Sequence, residues 1–175
     1  MEGYDYDAAV RIVKIEDIAT DEINQEILRK LKENDPEFDK LCVGNTRGSG
    51  SERKNIYCPK GTQDLGWLGY FIGKNTILME VYLRSNPCQD ISIDVEPFFR
   101  GVDCNTSVRK IAFNVDLLGG EIFQSLRPFS HNNNNLSELE VERCEFGFGC
   151  ARQLALALRG CNKSLKSISV SRNQR

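Results

Sequence analysis

One phrase returns through this chain at a nearly constant interval. Leu78, Val81 and Leu83 space three apolar residues as L-x-x-L-x-L in ILMEVYL. Val108, Ile111 and Phe113 repeat it in SVRKIAF, Leu136, Leu139 and Val141 in LSELEV, and Leu165, Ile168 and Val170 in SLKSISV. The first anchors lie 30, 28 and 29 residues apart. Phe38, Leu41 and Val43 form a more divergent fifth copy. Self-similarity at such a period marks stacked units, each burying its apolar face against the next.

Other features keep the same phase. A polar lead-in reads GKNTI before Leu78, CNTSV at Val108 and CNKSL at Leu165. The run NNNN before Leu136 is the same turn in another form, with a disordered asparagine tract as the competing reading. Asparagine suits a helix-to-strand turn because its side chain bonds nearby backbone and tolerates left-handed geometry. Three residues after each last anchor stand Asn86, Asp116, Cys144 and Asn173. A stacked column there can satisfy loop backbone between neighbouring units, with Cys144 the weakest member. Between the strands, Leu65, Leu68 and Ile72 fall at helical spacing, and helices are also expected over Pro97–Val102, Gly120–Arg127 and Ala151–Arg159.

The combined pattern, L-x-x-L-x-L-x-x-N/C over about residues 36–175, resembles the leucine-rich repeat in its long, ribonuclease-inhibitor-like form. The wording of LGWLGYFIGKNT and LSELEVERCEFG is also similar to expanded microalgal leucine-rich-repeat families. The resemblance implies an α/β solenoid, a right-handed β-α superhelix with a parallel strand layer on the concave side and helices on the convex side. It implies little about a partner.

The two ends have their own readings. Residues 1–35 are expected to cap the first repeat, with Thr20 capping a helix over 21–33 and Ile23, Ile27 and Leu31 on one face. Val10, Ile12 and Lys14 alternate as a short strand would. Residues 44–64 interrupt the first repeat as a glycine-rich, basic loop, either solvated or used for binding, and do not match the phosphate-binding GxxxxGK[ST] pattern. The last strand is expected to lack a cap, which makes the chain a truncated array or allows self-association through that C-terminal edge.

The bulk properties narrow the function. A net charge of −2 gives no general attraction to nucleic acid or to a membrane. The acidic start MEGYDYD is no secretory signal, and no apolar run reaches the roughly 18 residues of a membrane span. Seven cysteines, an odd count, suggest free thiols in a reducing compartment, the cytoplasm first with the nucleus left open. Cys104 and Cys161 hold equivalent positions two repeats apart, too far for a disulfide, and are expected to be reduced. The single histidine, His131, completes no catalytic or metal-ligating set, so neither cofactor nor enzymatic activity is expected.

Residues flanking the core anchors should face a partner. Three columns result: Lys40, Glu80, Lys110, Glu138, Ser167; Cys42, Tyr82, Ala112, Glu140, Ser169; and Gly44, Arg84, Asn114, Glu142, Ser171. The first alternates in sign and can pair laterally. Glu140 and Glu142 have no lysine or arginine beside them in their own columns. Tyr82, Arg84, Lys110, Asn114, Glu138, Glu140 and Glu142 are the candidate partner-binding residues. The function expected is a non-catalytic protein–protein interaction scaffold for a protein or peptide. The alternative is a fragment of a larger regulatory leucine-rich-repeat protein, a receptor or a GTPase-activating scaffold.

Overall fold

The recurring apolar triplets fold as parallel strands. The computed structural model describes residues 5–44, 56–84, 95–114, 135–142, 151–152, 154–156 and 164–172. Strands β1 (Lys40–Val43), β2 (Ile56–Tyr57), β3 (Glu80–Leu83), β4 (Lys110–Asn114), β5 (Glu138–Glu142) and β6 (Ser167–Ser171) form one sheet in the order β2-β1-β3-β4-β5-β6. Leu41, Val81, Ile111, Leu139 and Ile168 stand side by side, and so do Val43, Leu83, Phe113, Val141 and Val170. Strands β1, β3, β4 and β5 bury these anchors; on β6, Ile168 and Val170 remain 49% and 48% exposed.

The sheet has one strand more than the repeat pattern predicts. β2 lies inside the segment read as an insertion loop and pairs with β1 through Cys42 opposite Ile56 and Val43 opposite Tyr57. A two-residue strand carries no periodicity, so only burial reveals it. Tyr57 is fully enclosed, and that burial pushes its phenol pKa well up.

Helices cover the opposite face. α1 (Tyr6–Ala9), α2 (Ile15–Ile18), α3 (Glu22–Glu33), α4 (Thr62–Lys74) and α5 (Glu96–Cys104) are joined by helical turns at residues 151–152 and 154–156. Their apolar sides, including Ile27, Leu28, Leu31, Leu65, Trp67, Leu68, Phe99 and Val102, share one core with the strand anchors. The expected helix over 120–127 and the column Asn86, Asp116, Cys144 and Asn173 lie outside the described residues, as do Cys161 and His131.

Two readings of the N-terminal segment are corrected. Asp21, not Thr20, caps α3, its carboxylate accepting the Asn24 N–H at 2.9 Å, while the Thr20 hydroxyl takes the Lys60 ammonium at 2.7 Å. An aspartate carries a full negative charge to the helix N-terminus and is the stronger cap there. The alternation Val10, Ile12, Lys14 forms no strand, because Ile12 is 83% exposed and has no face to bury. Instead Tyr6 on α1 meets Trp67 edge-on at 4.9 Å and stacks on Tyr70 at 5.9 Å. Asp7 anchors that contact, accepting the Tyr70 hydroxyl at 3.0 Å and pairing with Lys74 at 3.2 Å.

Two asparagines lock a strand to the helix of the preceding unit, β3 to α3 and β4 to α4. Asn75 is buried; its amide donates to the Leu31 carbonyl at 2.8 Å and its oxygen accepts the N–H groups of Ile77 and Leu78 at 2.9 and 2.6 Å. Asn105 repeats the arrangement one unit later. Its amide donates to Ile72 and Asn75 carbonyls, both at 2.7 Å, and its oxygen accepts from Ser107 and Val108, both at 2.7 Å. Each side chain thus satisfies the end of one helix and the start of one strand. Asn105→Ala removes the acceptor of the Ser107 and Val108 N–H groups and one donor from each of two carbonyls, and is expected to cost about 3 kcal/mol of stability by urea denaturation.

α4 and α5 touch backbone to backbone. A Cβ added at Gly69 would collide with the Pro97 carbonyl, and one at Gly101 with the Gly69 carbonyl. Gly101→Ala is therefore expected to destabilise by about 2 kcal/mol or more, because the helices must separate. Gly61→Ala, where nothing lies within 4 Å of the added carbon, is the clash-free comparison in the same melting experiment, its cost limited to a poorer N-cap on α4.

Candidate functional site

Parallel register turns the repeat into a surface. Because each strand faces its neighbour residue for residue, the side chains opposite the core fall into lateral rows. Lys40, Glu80, Lys110, Glu138 and Ser167 form the first row, and Cys42, Tyr82, Ala112, Glu140 and Ser169 the second. Asn114, Glu142 and Ser171 continue the third, with Arg84 directly after β3. The rows match those read from the sequence. Ala112 and Gly44 are nevertheless buried rather than exposed.

The electrostatics differ from the lateral ladder expected. Lys40 does pair sideways, its ammonium 3.2 Å from Glu80. Lys110 instead crosses diagonally to Glu140 at 2.9 Å and lies 5.5 Å over the Tyr82 ring. Glu142 is engaged by Arg172 at 3.1 Å and by the Asn114 amide at 3.5 Å. Within their own columns Glu140 and Glu142 do stand beside no lysine or arginine, and both cations reach them from outside those columns. A long side chain reaches a residue two positions further along the adjacent strand, so columns alone miss diagonal partners. Arg172 follows β6 in a left-handed backbone conformation, with φ at 52°, and its side chain reaches Glu142 on β5.

The charges tune one another. Burial alone raises the Glu80 carboxyl pKa, but the Tyr82 hydroxyl and Lys40 ammonium donating to it outweigh that and hold it below the ordinary value. Burial and the Glu80 acceptor push the Tyr82 phenol up. The hydrogen bond to Glu140 raises Lys110, and that to Glu80 raises Lys40.

A cleft of about 320 Å³ opens at the downstream end of this face, lined by Tyr82, Leu83, Arg84, Ala112, Phe113, Asn114, Glu140 and Glu142. Five of the seven candidate residues line it. Lys110 stands beside it through its contacts with Glu140 and Tyr82, and Glu138 lies exposed at the upstream end of β5. Among the described residues no group of three or more His, Cys, Asp or Glu side chains is placed to hold a metal ion. Among them, too, no helix is long and apolar enough to cross a membrane.

The fold is that of a leucine-rich-repeat-type solenoid: parallel strands, one per repeat, with helices on one side. Among solved structures, the chain is similar to the C-terminal domain of a tropomodulin from Caenorhabditis elegans, with a TM-score of 0.55 and 15% identity over 85% of this chain and 82% of that one. It is also similar to actin-binding site 2 of leiomodin-1, with a TM-score of 0.52 and 17% identity over 85% of this chain and 79% of that one. No family model matches the sequence, and no curated protein matches it either. The expected kinship with the ribonuclease-inhibitor-like subtype and microalgal families is corrected by these neighbours. The repeat phrase specifies a strand and its turn, which many such solenoids share, and does not specify the subtype.

The Glu80 arrangement has a testable consequence. A carboxylate with a lowered folded pKa stabilises the fold fully above its unfolded value and loses that contribution as pH falls. Glu80→Gln is therefore expected to flatten the acid limb of the stability profile below about pH 4.3. Carboxyl NMR titration of the wild type should place Glu80 below the ordinary glutamate value.

Proposed function

We propose that this chain is a non-catalytic protein-interaction scaffold that docks a protein or peptide on the strand face opposite its helices. The observation that carries the reading is the gathering of Tyr82, Arg84, Asn114, Glu140 and Glu142 around one cleft on three adjacent strands. Tyrosine and arginine are enriched at interface hot spots, and a rigid sheet presents them at little entropic cost. Lys110 and Glu138 extend the surface upstream. In this reading residues 1–35 cap the first repeat, no cofactor takes part, nucleic acid and membranes are not partners, and the protein works in the cytoplasm. β6, with Ile168 and Val170 exposed, is the surface through which copies would self-associate.

The fold likeness supports a protein partner and nominates actin for the first test, since one structural neighbour is an actin-binding site of leiomodin-1. A second reading draws on the other neighbour, which is a C-terminal domain: the repeats here serve as one module of a larger regulatory protein. Co-sedimentation with filamentous actin and native electrophoresis with monomeric actin test the first reading. Binding is expected for the wild type and an approximately tenfold loss for Tyr82→Ala combined with Arg84→Glu. Actin binding untouched by that double variant would remove the strand face from the account.

A further inference from the structure

Resting on that reading, we propose that the cleft over Ala112 receives one lysine or arginine side chain of the docked protein, which displaces Arg172 from Glu142. The cleft exists because of a size contrast within one lateral row. Ala112 lies between Tyr82 and Glu140, and its single methyl leaves a gap between two long neighbours. Tyr82 on β3 and Arg84 directly after it form one bank, and β5 supplies the other with Glu140 and Glu142. Two strand spacings separate the banks, about 9.6 Å between backbones. That width admits an extended alkyl stem with a charged head.

The chain's own cations display the chemistry of the site. The Lys110 ammonium sits 2.9 Å from Glu140 and 5.5 Å from the Tyr82 ring centroid, and the Arg172 guanidinium sits 3.1 Å from Glu142. Both carboxylates on the acidic bank therefore already hold a cationic group. The two cations are not equally secured. The Lys110 side chain is 25% exposed, issues from the central strand and also lies over an aromatic ring. The Arg172 side chain is 68% exposed and issues from a left-handed backbone position, which a residue with a β carbon adopts at a cost. Arg172 is thus the replaceable occupant.

Exchange of one cation for another leaves the net charge of the cleft unchanged. Glu142, with its side chain only 21% exposed, keeps an ionic partner before and after, so no carboxylate is left half-buried and bare. An incoming acidic side chain cannot take the place of Arg172 at Glu142 and gains no such exchange.

The test uses the full 175-residue chain, isotope-labelled, with three capped tripeptides whose central residue is arginine, lysine or glutamate between glycines. The backbone amides of Ala112, Asn114 and Glu142 are followed by NMR. The arginine and lysine peptides are expected to shift them saturably, and the glutamate peptide is not. Arg172→Ala removes the internal competitor and should tighten arginine-peptide binding about threefold or more. Glu142→Gln should weaken it about tenfold while leaving the remaining amide spectrum in place. The proposal is overturned by an absence of saturable shifts with the cationic peptides, by equal shifts from the glutamate peptide, or by unchanged or weaker binding in Arg172→Ala. These peptides carry no protein-sized surface, so the outcome separates from that of the actin experiment. Tripeptide binding without any protein partner rejects the scaffold reading, and face-dependent protein binding without tripeptide binding rejects only this subsite.

Discussion

Buried asparagines at the helix-to-strand turns set the geometry on which everything else rests. A solenoid has no closed core to fix the rotation of one unit against the next, so each junction must carry that information locally. Asn105 does so by bonding at once to the end of its own preceding helix layer, to the Asn75 backbone one unit earlier, and to the N–H groups that open β4. A misplaced unit would strand several buried polar groups, each costing about 1–3 kcal/mol. Register is therefore a hydrogen-bonding property of the turns as much as a packing property of the strands. Close glycine contact between α4 and α5 reinforces it by drawing the helices to the same pitch as the strands.

Much of this was legible in the chain because period and polarity agree. The anchors at Leu78, Val108 and Leu136 and their partners recur in phase, and every lateral pair among β1, β3, β4, β5 and β6 follows from that alone. The asparagine lead-in is legible as well, and the described bonds of Asn75 and Asn105 belong to it, while the ladder positions Asn86, Asp116, Cys144 and Asn173 lie outside the described residues. What stayed hidden lacked a period. β2 is two residues long and is recognised only by the burial of Ile56 and Tyr57. The contact of Tyr6 with Trp67 joins residues some sixty positions apart and leaves no local trace.

The candidate site divides along the same line. Which residues face away from the helices follows from strand alternation, and the sequence was sufficient for Tyr82, Arg84, Asn114, Glu140 and Glu142. How they interact was not legible, because charge pairing depends on side-chain reach rather than on row membership. Lys110 prefers Glu140 to the glutamates of its own row, since from there it also covers the Tyr82 ring. A surface ion pair alone contributes little, so a small added contact is enough to choose between competing partners.

The two faces of the sheet consequently do different work. On the helix side, residues are large, apolar and tied by interlocking backbone contacts, and substitution there changes the fold. On the open side, the pairs are half-exposed and individually weak, and Ala112, small between Tyr82 and Glu140, leaves a cleft among them. In the proposed reading, weak, rearrangeable pairs above a rigid sheet suit a binding face: the backbone is already ordered, and an incoming group would exchange contacts instead of creating order. Arg172 embodies that logic, an exposed cation held over β5 by one carboxylate and a left-handed backbone, adjacent to the cleft rather than inside the core.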